Sequence, residues 1–251
     1  MSEFFVGYLP KAPPGIARLI RMVVIALLLL AAVGAILFAH VQRTFAPAVF
    51  EFGKVGTFEG VLEANPYPML TVAKPGVSGA DAISSRYLLV AQGKHGADSE
   101  VAGYDGKTVK LRGTLIYRDD HRMIEVVRGS ISETNRLPNS QQVATELGTF
   151  ELTGEIVDSK CYLGVMNPGN GKVHRDCAAR CLSGGIPPAF VTNDLNGSPA
   201  LLLLTDQSQH PPPKEAFLQR IAQPLRIRGK VLRSGDALYL QTSSEAITQL
   251  P

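Results

Sequence analysis

Cys161, His174, Cys177 and Cys181 fall within 21 residues, and the three cysteines among them are the only ones in the 251-residue chain. Thiolate sulfur is a soft and reactive ligand. Gathering it beside an imidazole points to a soft metal ion, copper or zinc, or to thiol redox chemistry. All four residues sit in the stretch GEIVDSKCYLGVMNPGNGKVHRDCAARCLSGGIPP, residues 154–188.

The spacing sets how they can meet. The run HRDCAARCLSGG predicts a short helix: Ala178, Ala179 and Arg180 favour it, and Gly184–Gly185 followed by Pro187–Pro188 end it. On that helix His174, Cys177 and Cys181 lie at i, i+3 and i+7, on one face. Seven residues rise about 10 Å, so His174 and Cys181 share one ion only if the first turn is irregular. The easier set is Cys177 with Cys181 one turn on and Cys161 third, with His174 the fourth. Cys161 arrives from the end of a strand, GEIVDSKC, across the tight NPGNG loop, where Met166 is a candidate thioether for copper(I).

Other chemistries fail on spacing. A covalent c-type haem needs C-x-x-C-H, and a thioredoxin-like dithiol needs C-x-x-C; three residues separate Cys177 from Cys181, and Leu182 follows. A structural disulfide is the competing reading. Cys161 bonded to either helix cysteine encloses 15 or 19 residues, a closure that contributes about 3 kcal/mol in the chain-entropy account. Cys177 and Cys181 are poor partners for each other within a regular helix. Under this reading one thiol is left over, and the chain is a non-enzymatic interaction or scaffold module. Asp158 and Lys160 read as solvated strand-end charges that would tune Cys161 if they approached it. Arg175 and Arg180 read as a solvated helix face, and His95, His121 and His210 as loop histidines.

The C-x-x-x-C of Cys177 and Cys181 with His174 apart from it resembles the copper site of the Sco-type copper chaperones, which are also membrane-anchored. The order of histidine and cysteines differs here, and the proline that follows the second cysteine in that family is absent. The larger pattern D-S-K-C-Y from Asp158, H-R-x-C-A-x-R-C from His174 and G-G-I-P-P from Gly184 resembles a signature of bacterial membrane-anchored periplasmic proteins with no attached activity. That resemblance implies export and a shared local structure.

Residues 22–39 are 18 consecutive uncharged residues rich in Leu, Val, Ile and Ala. With Leu19–Ile20 in front they approach the ~20 residues that span a bilayer. Lys11, Arg18 and Arg21 precede the run, whereas Arg43 and then Lys54 follow it, so the positive-inside rule keeps the N-terminus in the cytoplasm. A cleaved signal peptide would carry a shorter apolar core, about 7–15 residues, and Ala46-Pro47-Ala48 is a poor cleavage site. The expectation is a single-pass protein of the cytoplasmic (inner) membrane, with a cytoplasmic tail at 1–16 and an uncleaved anchor at 17–43. The remainder is periplasmic. Residues 1–43 hold four basic residues against one acidic, the whole of the net charge of +3. The sequence pI near 8.8 is then a signal of topology. With balanced charge beyond the anchor and no tryptophan, nucleic acid is not an expected partner. A periplasmic or membrane redox protein is.

The exported part repeats itself. Each copy opens with Gly-Thr-Phe-Glu (from Gly56 and from Gly148) and closes with a hairpin, KTVKLRGTLIYRDDHRMIEVV and PLRIRGKVLRSGDALYLQT. Period-two apolar residues around Gly113 and Gly229 mark strands with bends or barrel corners. The pattern resembles the closing strands of OB-folds. The expected fold is mainly β: two tandem OB-like five-stranded barrels at 44–137 and 147–251, joined by a linker at 138–146. KEAFLQRIAQ predicts one short amphipathic helix before the second hairpin. The Cys/His segment, 161–188, is then an insert after the first strand of the second barrel, at a ligand-contacting edge of the fold. No hydrolase, nucleotide or dinucleotide fingerprint is present, so an accessory role is expected ahead of an enzymatic one.

Overall fold

Leu, Val, Ile and Ala dominate helix α1 (Pro14–Val41), whose 28 residues include none that is buried. It opens on Pro14, where a missing amide hydrogen costs nothing. At 1.5 Å per residue it is about 42 Å long, enough to cross a ~30 Å hydrocarbon layer. By length and composition it is able to span a membrane. The computed structural model describes residues 12–41, 48–73, 84–134 and 144–250. Helix α1 belongs to one compact unit and residues 46–251 form another.

The second unit is mainly β. Its first half comprises β1 (Ala48–Glu63), β2 (Met69–Ala73), β3 (Ser84–Val90), the single turn α2 (Asp98–Val101), β4 (Thr108–Arg118), β5 (His121–Val126) and the short β6 (Ser132–Glu133). Strands pair in the order β1-β2-β3-β5-β4, and β4 returns to β1 to close a five-stranded barrel. The β3–β5 pair is parallel and the others antiparallel. The second half repeats this with β7 (Thr145–Asp158), α3 (Arg175–Ser183), β8 (Pro188–Leu195), β9 (Ser198–Thr205), β10 (Leu225–Ser234), β11 (Ala237–Gln241) and the short β12 (Ile247–Gln249). Its order is β7-β8-β9-β11-β10, closed by β10 on β7, with β9 and β11 parallel. Two OB-like barrels are therefore present, as the repeated hairpins imply.

Glycine makes the closure sterically feasible. Gly113 lies opposite both Gly56 and Val126, where β4 bends from one neighbour toward the next. A Cβ there would sit 2.2 Å from Ile124 Cγ2. Gly229 holds the same corner of β10, where a Cβ would meet the Gln241 carbonyl oxygen at 2.6 Å.

KEAFLQRIAQ departs from its expected form. It folds as two 3-10 turns, Lys214–Ala216 and Leu218–Arg220, interrupted by Phe217 at φ −133° and ended by extended Ile221. Ten residues are too few for a helix to hold by propensity, so packing decides. Phe217 and Ile221 both enter the core of the second barrel. The expected linker at 138–146 falls largely outside the described residues, and its last positions, Thr145 and Glu146, already belong to β7.

Each barrel has its own interior: Leu62, Leu70, Leu111 and Ile124 in the first, Ile156, Phe190, Leu202 and Ile227 in the second. A third apolar cluster joins them. Tyr67, Met69, Leu88, Ile116 and Met123 of the first barrel pack with Leu163, Leu201, Leu203 and Tyr239 of the second. Polar contacts cross the same interface. Tyr67 donates its hydroxyl hydrogen to the Leu204 carbonyl, and buried Arg86 pairs with Glu63 at 2.5 Å while donating to the Ser234 carbonyl at 3.2 Å.

Candidate metal and thiol site

Strand β7 delivers the chain to Asp158, and Cys161 begins a single π-type turn (Cys161–Val165) directly after it. Asp158 Oδ1 accepts the Cys161 amide hydrogen at 2.8 Å, which fixes the turn to the strand end. The following loop is tied back to β7: Asn170 Nδ2 and the Gly171 amide donate to Glu155 at 2.6 and 3.0 Å. A 3-10 turn, Lys172–His174, then leads into α3, so the first turn around His174 is irregular, the condition its spacing from Cys181 imposes. Gly184 and Gly185 end α3, with Gly185 at φ 95° and the Ile186 amide donating to the Cys181 carbonyl at 3.1 Å. That is the left-handed termination glycine provides.

The three cysteines come together. Their sulfurs all lie within 4.8 Å of one another, Cys161 and Cys181 Sγ are 4.0 Å apart, and all three are free thiols. Cys161 and Cys181 are buried and Cys177 half-buried. His174 is buried as well, but its Nε2 lies 2.8 Å from Asp158 Oδ2, and it clusters with Asp158 and Cys161. Among the described residues the arrangement is two overlapping triads sharing Cys161, three sulfurs on one side and Asp-Cys-His on the other. Met166 stands 45% exposed.

The first barrel supplies what sequence reasoning missed. Lys94, in the loop after β3, donates to Cys177 Sγ at 2.9 Å and to Cys181 Sγ at 3.7 Å. The contact with Cys177 holds the Lys94 ammonium above its ordinary range, so it stays charged. The hydrogen bond between Cys161 and Cys181 pushes the Cys161 thiol up, with burial and the Asp158 carboxylate adding to it. The same bond brings Cys181 down to about 7, aided by Lys94 and Cys177. Of these two sulfurs, Cys161 keeps the shared proton and Cys181 takes the negative charge.

Asp158 and Lys160 are not solvated strand-end charges: they are 0% and 2% exposed. Lys160 reaches into the first barrel, donating to the carbonyls of Ala91 (2.9 Å) and Gly93 (2.6 Å) and pairing with Glu125. The Arg118 guanidinium of β4 stacks over the Tyr162 ring at 4.1 Å. The Gly96 amide donates to the Gly184 carbonyl at 3.0 Å. The Gly-Gly of the G-G-I-P-P signature is thus a docking point as well as a helix stop. The insert is clamped between two barrels, and Cys161 and Cys181 belong to their shared core. The visible signal was the charge pair flanking Cys161; its partner across the interface, Glu125, carried none. Arg175, Arg180 and His95 are exposed, as their surroundings in the sequence imply.

No family model, no curated protein and no solved structure matches the chain. The site's chemistry therefore rests on its own atoms: a largely buried three-sulfur cluster overlapping a buried Asp-Cys-His triad is able to bind a metal ion.

Proposed function

We propose that this chain is a membrane-tethered accessory protein whose Cys161, Cys177 and Cys181 hold a soft ion, copper or zinc, in support of a redox enzyme or its assembly. The carrying observation is the sulfur geometry. Three sulfurs each ~2.3 Å from one ion stand ~3.8–4.0 Å apart. Cys161 and Cys181 are already at 4.0 Å and the remaining separations are no more than 4.8 Å. His174, whose Nε2 is taken by Asp158, is the proposed fourth donor through its other ring nitrogen, Nδ1, turning from the Asp158 side of Cys161 toward the sulfurs. Lys94 offsets part of the thiolates' negative charge, and half-buried Cys177 gives the ion its route in and out. A bound ion supplies a deliverable cargo or a redox centre for the partner protein.

The full chain, extracted in detergent and purified without a histidine tag, is expected to carry near-stoichiometric copper or zinc by elemental analysis. Cys177→Ser and Cys181→Ser should each abolish the binding, and His174→Ala should only weaken it. A metal-free wild-type chain with a fixed Cys161 disulfide that resists reductant would instead support the scaffold reading. Within that second reading, the 4.0 Å approach of Cys161 to Cys181 favours this pair over the other disulfide pairings.

In this reading residues 1–16 are cytoplasmic, 17–43 form an uncleaved anchor, and the barrels at 44–137 and 147–251, with their linker at 138–146, are periplasmic. The basic residues before α1 support that orientation. An alkaline-phosphatase fusion after Leu232 should be active and should remain in membranes after carbonate washing. An inactive fusion, or a mature N-terminus beyond Ala39, would refute the topology.

A further inference from the structure

Cys177 lies half-buried on α3, and behind it Cys161 and Cys181 are buried with their sulfurs 4.0 Å apart. The Lys94 ammonium donates to Cys177 Sγ at 2.9 Å, and of the three sulfurs Cys177 is the one with access to solvent, where an external disulfide can meet it. Joining Cys161 to Cys181 needs their sulfurs to close to ~2.05 Å, a movement of about 2 Å. Joining Cys177 to Cys181 is harder. One helical turn separates their Cβ atoms by ~5–6 Å, against the ~3.5–4.5 Å that a relaxed disulfide needs.

We propose that, with no ion bound, the three thiols reduce an external disulfide, with Cys177 attacking first and the Cys161/Cys181 pair taking the oxidation. The Cys177 thiolate attacks one sulfur of the external disulfide, forming a mixed disulfide and releasing the first external thiolate. Cys181 then attacks Cys177 Sγ, releasing the second external thiolate and leaving a strained bond within α3. Cys161 attacks Cys181 Sγ and gives its proton to the departing Cys177 sulfur, which breaks the strained bond, makes the buried one and returns Cys177 as a free thiol. One S–S bond is broken and one formed. Two electrons pass to the external disulfide, and the two protons lost by the chain end on its two sulfurs. The relay needs no ion and goes beyond the metal reading; a bound ion stops it by occupying all three sulfurs.

The test uses the full chain in detergent, stripped with chelator and reductant and desalted without air, then mixed with oxidised glutathione or with insulin as a protein disulfide. Metal content measured before stripping scores the metal reading separately. The relay predicts a mass loss of about 2 Da, a Cys161 to Cys181 disulfide in the peptide map, and Cys177 still open to alkylation. Cys181→Ser should accumulate a mixed disulfide on Cys177. Cys177→Ser should slow oxidation by about tenfold or more. Oxidation by both reagents assigns the relay to disulfides generally; oxidation by one alone assigns it to small molecules or to proteins. Cys177 found inside the final disulfide, Cys177→Ser oxidised at the wild-type rate, or no oxidation by either reagent would each overturn the relay.

Discussion

Lys160→Met is expected to destabilise the 46–251 unit by about 3–5 kcal/mol, the usual cost of removing one partner from a buried ion pair. The Lys160 side chain is 3% exposed and that of its partner Glu125 14%, so water does little to replace what is lost. Two backbone acceptors, the carbonyls of Ala91 and Gly93, lose their donor at the same time. Those carbonyls belong to the loop that presents Lys94, so the substitution also loosens the loop over Cys177. Urea unfolding followed by circular dichroism measures the change. The double variant Lys160→Met/Glu125→Met should recover much of the loss, because an apolar pair of similar volume carries no unpaired buried charge. A single-variant cost below about 1 kcal/mol would mean that Lys160 is solvated and the barrels are not clamped there.

The barrels were legible because period-two alternation and glycine corners are local signals, and the two copies confirm each other. The paired Gly113 and Gly229 occupy equivalent corners, and the hairpins β4–β5 and β10–β11 fall where the turn residues put them. The meeting of the three cysteines was legible for the same reason: helical spacing put Cys177 and Cys181 on one face, and a short loop brought Cys161 to it. The environment around them was not legible. Lys94 lies 83 residues before Cys177 in sequence, and nothing in a single chain of letters shows that a lysine in one barrel will face sulfurs in the other. The same blindness misread Asp158 and Lys160. A charged residue at a strand end is solvated by default, and only the docking of the first barrel buries these two. KEAFLQRIAQ failed differently. Its apolar spacing fits a helix, but the pull of Phe217 and Ile221 into the second core outweighs the weak propensity of ten residues.

Gly184→Ala should separate the two halves of the site without touching a sulfur. A Cβ on Gly184 would lie 1.9 Å from the Lys94 carbonyl oxygen and 3.1 Å from its carbon. Both are backbone atoms, so neither can swing aside as a flexible side chain would. The C-terminus of α3 and the loop around Lys94 must move apart, at a cost of about 1–3 kcal/mol for the overpacking. The displacement carries the Lys94 ammonium away from Cys177 and Cys181 and breaks the bond from the Gly96 amide to the Gly184 carbonyl. Hydrogen exchange reads this directly: the Gly96 amide should lose its protection, while amides at the β7–β10 pairing of the second barrel keep theirs. Gly185→Ala is the control. It carries the strain of φ 95°, yet its added Cβ would come no closer than 3.4 Å to the Gly96 nitrogen, so it should weaken the end of α3 and leave Gly96 protected. If Gly184→Ala leaves Gly96 protected and stability unchanged, then α3 does not rest on the first barrel. Lys94 would then be no part of the site, and the three sulfurs would have to work with the second barrel alone.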